Sequence, residues 1–279
     1  MKIINFIVNQ TGERSFGIYR PEGIVDVGNQ LGCRNINMFL RDHRLAELNA
    51  FAHSPVDLSL QEIQFLPVID QPEKIFGVGM NYAQKRQEFN ETDDAPTLFV
   101  RFADSQVGHN GVIMKPACTE QFDYEGELAI VMGHGGRNIP KAEALSYIAG
   151  YSCYMDGSVR DWQHKWYTAG KNWPATGAFG PWLVTPDEIG DPHQLTIKTW
   201  LNEQLVQSDT TANMLHTIPE MISYISTFTT LSPGDVIMTG SPGGVGKSRV
   251  PQLFLRENDV IAVEIEKIGR LSNRIAQAH

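Results

Sequence analysis

The stretch Phe122-Asp-Tyr-Glu-Gly-Glu-Leu-Ala-Ile-Val-Met-Gly133 decides how the chain is read. Residues two apart in a strand point to one face, so Asp123, Glu125 and Glu127 fall on the same side. That side continues as Ala129 and Val131, and the other carries Leu128 and Ile130. A strand apolar on both faces is a buried strand, so the acids gather where a buried strand begins. Carboxylates crowded there raise one another's pKa unless a cation sits between them. An all-oxygen donor set suits Mg²⁺, Mn²⁺ or Ca²⁺ rather than zinc. A solvated strand face is the plainer alternative. It fits Glu264 and Glu266, which alternate with Val263 and Ile265. It does not fit a face that turns from acidic to apolar within one strand.

Downstream, Tyr154-Met-Asp156-Gly-Ser-Val-Arg160-Asp-Trp-Gln163 puts another acid at the end of a strand-like run, followed by polar groups suited to an anion. Lys171 follows in Ala169-Gly-Lys-Asn172, a glycine-flanked position where a substrate oxygen can approach. Taken alone, Asp156 reads as a turn aspartate and Lys171 as a surface-loop lysine.

Segments 74–80, 97–102, 180–185, 195–201, 235–240 and 260–268 also read as strands, several rich in branched residues. A hairpin turn is expected at Asn202-Glu203. Helices are fewer: a short amphipathic one within 36–51, one opening at Pro140, and one opening at Ile218 with Thr217 as N-cap. The steady βαβ alternation of a doubly wound sheet or TIM barrel is missing, so the fold class is α+β, mostly β. The first 70 residues, strand-rich at the start, form a small N-terminal α/β module, with Pro55, Pro67 and Pro72 punctuating the polar connection; residues 71–279 form the second domain.

Composition narrows the functions. With 23 basic and 32 acidic side chains the formal charge is −9, which argues against a nucleic-acid partner. Cys33, Cys118 and Cys153 offer neither a disulfide framework nor a paired zinc motif, as in a reducing compartment. No apolar run is long enough to span a bilayer, and the N-terminus lacks a signal pattern, so a cytoplasmic protein without a membrane partner is expected. Two glycine-rich stretches are decoys. Gly77-Val-Gly-Met-Asn-Tyr82 has tyrosine at the third glycine of a dinucleotide fingerprint. Ser241-Pro-Gly-Gly-Val-Gly-Lys-Ser248 begins with serine, and Pro251 comes too soon for the helix a phosphate loop needs.

The combination of these segments resembles the fumarylacetoacetate hydrolase family from about Lys74 to Asn273. The matching stretches are IFGVGMNY, FDYEGELAIVMG, YMDGSVRDWQ, Gly170-Lys171, GPWLV and PGDVIMTGSPGGVG, in the family's order and at similar spacing. The resemblance implies a mixed β-sandwich roll, a homodimer, and Mg²⁺ or Mn²⁺ held by Glu125, Glu127 and Asp156. Lys171 resembles the active-site lysine that stabilises a developing enolate. Arg160 and Gln163 match the polar pair of the R-D-x-Q segment, Thr239 a threonine that binds the substrate carboxylate, and Tyr82 a further substrate-binding group. Asp123 belongs to the motif without being a usual ligand. The substrates implied are small 2-oxo or 2,4-dioxo acids, which offer a metal two oxygens; the ion polarises the carbonyl and favours the enolate.

One departure stands out. Hydrolytic members carry Asn-Tyr-x-x-His-x-x-Glu in a mobile lid, where histidine and glutamate activate water. Here Lys85 takes the histidine position and Glu88 keeps the glutamate, leaving these two as the lid's catalytic groups. A lysine acts as a base only if its pKa falls by several units, and a neighbouring Glu88 opposes that. Segment 84–90, polar with few apolar anchors, is expected to be open or disordered without ligand. The favoured reaction is hydrolytic carbon–carbon cleavage of a 2,4-dioxo acid such as an acylpyruvate. Enol–keto isomerisation or decarboxylation of a dicarboxylic 2-oxo acid is the alternative, and a metabolite-binding protein that has lost catalysis the third.

Overall fold

In the computed structural model, which describes residues 1–92 and 94–278, the strand Gly126–Met132 is buried at every position. It pairs antiparallel with Ile148–Met155 on one side and with Val236–Met238 on the other. The sheet runs outward through Gly177–Val184 to the N-terminal strands Lys2–Val8, Arg14–Arg20 and Gly23–Val25. In the other direction it runs through Ile75–Gly79 to Thr97–Arg101. Eleven strands belong to it, both parallel and antiparallel. A second, five-stranded sheet holds Gln204–Thr210, Thr196–Leu201, Val260–Ile265, Gly269–Gln277 and Val112–Lys115 in that order. This is the mixed, mostly-β architecture expected.

The two faces of the central strand bury different things. Leu128, Ile130 and Met132 pack into a core shared with Ile197, Val263 and Leu271 of the five-stranded sheet. Ala129 and Val131 meet Ile3, Phe16 and Phe39 from the first 40 residues. Those N-terminal residues also continue the sheet by backbone pairing, with Lys2 opposite Val184 and Ile3 opposite Leu183. The sheets approach closely at Gly126, where a Cβ would collide with the Thr199 hydroxyl.

Local chemistry explains most of the elements. Asn202 and Glu203 take φ of 49° and 62°, the left-handed pair that closes a tight hairpin. Ile218–Phe228 starts with a capping box, in which Thr217 N–H donates to Glu220 Oε2 at 2.9 Å. Two expected helices come out differently. Within 36–51 the chain forms a short α-helix, Ile36–Arg41, and then a 3₁₀ segment, Leu45–Phe51, broken at His43 with φ of 54°. After Pro140 there is only a 3₁₀ turn, Ala144–Tyr147. Leu145 is exposed there and Ala144 is buried, so no apolar stripe exists to hold a longer helix. Among the described residues no helix is long and apolar enough to cross a membrane.

Candidate metal and substrate site

Antiparallel pairing assembles the acids. Gly126 lies opposite Met155, so Asp156, which follows Met155, comes beside Glu125 and Glu127. The turn is fastened by Asp156 N–H donating to the Glu125 carbonyl at 2.8 Å. One carboxylate oxygen from each of Glu125, Glu127 and Asp156 lies within 4.8 Å of the other two, and all three residues are buried. Asp123, which strand parity puts on the same face, is elsewhere. The strand breaks after Phe122–Asp123, which pairs with Ser158–Val159 in a separate ribbon. Its carboxylate accepts from Arg160 Nε at 2.8 Å and from the Gly246 and Lys247 N–H groups at 2.7 and 3.0 Å. The stretch that imitates a phosphate loop thus cradles an anion, but the anion is the protein's own.

The three acids differ in their partners. Burial pushes Glu125 up, yet Arg160, Lys171 and Lys85 outweigh it and hold its carboxyl well below the usual range. Asp156 is paired with Arg101 and Lys171. Glu127, 1% exposed, has no ion pair among the described residues and accepts only from Gly240 N–H, at 2.8 Å. Burial, then the charges of Asp156 and Glu125, raise its pKa well above the ordinary value. A buried carboxylate of this kind needs a proton or a cation. The all-oxygen triad therefore fits a hard divalent ion, with Glu127 the member whose charge lacks compensation.

Around the triad stand four cationic side chains. Lys171, on the helix Thr168–Lys171, donates to Asp156 and to Ser158 Oγ at 2.6 Å, and lies 3.5 Å from Glu125 Oε2. Arg160 pairs with Glu125 as well as Asp123, and its Nη1 donates to Gln163 Oε1 at 3.3 Å. The Gln163 amide nitrogen is buried without a partner among the described residues. Arg101, absent from the sequence reading, is buried between Asp156 and the Gly157 carbonyl. Its signal was an arginine closing the apolar run Thr-Leu-Phe-Val-Arg101, at a strand end facing the core. Tyr82 is also buried, with a hydroxyl that has no hydrogen-bond partner; burial, Asp209 and Glu127 raise its pKa. Thr239 donates its hydroxyl to the Leu128 carbonyl at 2.9 Å, so donation to a substrate carboxylate requires that bond to break.

The segment expected to be open is instead a helix, Ala83–Phe89, packed over the carboxylates. Its anchors are polar, which is why hydropathy missed them. Lys85, 3% exposed, lies 3.5 Å from Glu125 Oε1 and 3.4 Å from Ser241 Oγ. Burial lowers its pKa to about 8, against the opposing pull of Glu125. Glu88 does not face Lys85 to raise that pKa. It accepts from Gly244 N–H and Ser248 Oγ, each at 2.8 Å, and so ties the helix to the 241–248 loop.

A buried, all-oxygen acid triad ringed by lysine and arginine thus lies on the mixed β-roll. The family model for the C-terminal domain of fumarylacetoacetate hydrolase matches residues 74–276, and the chain belongs to that family. It is 41% identical over 225 residues to a mitochondrial oxaloacetate tautomerase of Xenopus laevis, covering 78% of this chain and 70% of that one. It superposes with a TM-score of 0.85 on the fumarylacetoacetate hydrolase of the psychrophile Exiguobacterium antarcticum, 32% identical with both chains fully covered. A maleylpyruvate hydrolase from Sphingobium sp. SYK-6, solved with manganese(II) and pyruvate, shares the fold at TM-score 0.85 and 24% identity over the full length of both chains.

Proposed function

We propose that the protein is a Mg²⁺- or Mn²⁺-dependent enzyme that interconverts the enol and keto forms of a small dicarboxylic 2-oxo acid such as oxaloacetate. The observation that carries this reading is the commitment of Glu88 to Gly244 and Ser248 while Lys85 takes the histidine place. Among the described residues no histidine–carboxylate pair poised to activate water faces the triad, and tautomerisation needs none. The similarity to oxaloacetate tautomerases supports the same choice.

Glu125, Glu127 and Asp156 would hold the ion, which when bound polarises the 2-oxo group and makes the neighbouring carbon more acidic. The chain's own groups do the rest. Arg160 and the unpartnered Gln163 amide bind the substrate carboxylate next to the oxo group. The Lys171 ammonium and the Tyr82 hydroxyl are fixed donors for the oxygen that gains charge, and being prepositioned they need no reorganisation as it does so. Lys85, with a pKa of about 8, is neutral in part of the population at neutral pH; it takes the proton from the neighbouring carbon, whose C–H pair passes into the enolate. The enolate oxygen takes a proton from solvent, and the reverse transfers give the keto form. Homodimeric assembly and a cytoplasmic site of action belong to the same proposal; light scattering tests the first.

Hydrolysis of an acylpyruvate is the second reading, favoured by the similarity to a fumarylacetoacetate hydrolase. Glu88 separates the two. As a structural tie it can be replaced by glutamine, whose amide oxygen still accepts from Gly244. Glu88→Gln should keep kcat within a few-fold while Glu88→Ala raises KM; a lost general base costs about 10²–10⁴-fold in either variant. Equal inactivation of both variants would restore Glu88 as the base and favour hydrolysis.

A further inference from the structure

Three cations crowd one aromatic ring beside the site. The Phe89 centroid lies 5.0 Å from Lys85 Nζ, 5.7 Å from Arg160 Cζ and 5.7 Å from Lys247 Nζ, all within cation–π range. Lys85 is balanced by Glu125, and Arg160 by Asp123 and Glu125. Lys247 is not: no ion pair joins it to a carboxylate among the described residues. We propose that Lys247, with Phe89 as its backstop, recognises the far carboxylate of a dicarboxylic 2-oxo acid, an inference that rests on the function proposed above.

The placement of Lys247 serves that role. Its backbone N–H is fastened to Asp123, the same carboxylate that positions Arg160, so the root of the side chain is fixed relative to the site. Its four methylenes leave the ammonium free to meet a ligand. Charge points the same way. In their ionic forms, Asp123, Glu125, Glu127 and Asp156 are matched by Lys85, Arg101, Arg160 and Lys171. A divalent ion then leaves the buried cluster with two positive charges. With Lys85 in the neutral form that accepts a proton the surplus is one, which the carboxylate beside the oxo group meets, so a second carboxylate is matched by Lys247, which lies outside this count. The far carboxylate of such an acid is two carbons from the oxo group, and Lys85 and Arg160, which flank the triad, lie against the same Phe89 ring as Lys247.

The test compares two acids that share the 2-oxo carboxylate end and differ in the second carboxylate. Dissociation constants for oxaloacetate and pyruvate are measured by calorimetry on the full chain in Mg²⁺, for wild type, Lys247→Gln and Lys247→Arg. A charge-assisted contact at a half-open rim predicts about tenfold weaker oxaloacetate binding in Lys247→Gln. Pyruvate binding stays unchanged, and Lys247→Arg retains most of the oxaloacetate affinity. Equal loss for both acids, or none for either, overturns the assignment of Lys247 and leaves the proposed function standing. Wild-type protein that binds neither acid overturns both.

Discussion

Glu127 carries more of the argument than any other residue. Strand parity identifies it together with Glu125, because both precede a run that is apolar on two faces. Parity also enrols Asp123, wrongly for geometry: the break at Tyr124-Glu125 sends Asp123 into the ribbon and onto Arg160. No spacing rule shows that break, since it depends on the 246–247 amides waiting for the carboxylate. The partner of Asp156 was equally hidden, for Arg101 reaches it only through tertiary pairing. Glu127→Gln tests the metal reading with a sign that few structural roles share. Removing a buried, unbalanced charge should raise the Tm of chelated protein by about 2 °C for each kcal/mol of repulsion relieved. The same variant should lose the Tm increase that Mg²⁺ gives the wild type. Differential scanning fluorimetry with EDTA and with Mg²⁺ reads both effects, and a Glu127→Gln protein still stabilised by Mg²⁺ would count against the triad.

At the scale of elements, strands were legible and short helices were not. Strands such as Val260–Ile265 and the hairpin at Asn202-Glu203 announce themselves by alternation and turn chemistry. The helix Ala83–Phe89 does not, because a buried lysine, a glutamate–amide tie and one phenylalanine hold it down rather than an apolar stripe. The loop 241–248 runs into the 3₁₀ turn Gly246–Ser248 rather than an α-helix, and its amides bind the protein's own anions: Asp123 through Gly246 and Lys247, Glu88 through Gly244. Gly246 therefore links two parts of the site. A Cβ there would collide with the Leu253 carbonyl and stand 2.6 Å from Asp123 Oδ1. Gly246→Ala is therefore expected to destabilise by about 2 kcal/mol or more. Urea denaturation measures this directly, and a change below about 0.5 kcal/mol, the ordinary range of surface substitutions, would contradict the proposed role of the loop.

For the whole molecule, the mostly-β class followed from the density of strand signals, and the family from six segments in order. The long-range pairing did not follow, because register between strands 50 or more residues apart leaves no local trace in sequence. The same limit applied to the reaction. Sequence supplied the departure at Lys85, but only the folded chain shows Glu88 engaged elsewhere and Lys85 buried against Glu125. In the proposed mechanism a divalent ion and this ring of cations drive enol–keto exchange without water activation. The direct measurement follows the ultraviolet absorbance of enol-oxaloacetate as it ketonises, with pyruvate release from an acylpyruvate assayed in parallel, in Mg²⁺ and after exhaustive chelation. Mg²⁺-dependent acceleration of ketonisation is expected, abolished by chelation, with acylpyruvate cleavage slower by at least about 10²-fold, the size of a missing general base. Rapid acylpyruvate cleavage without accelerated ketonisation, or undiminished ketonisation by metal-free protein, would contradict it.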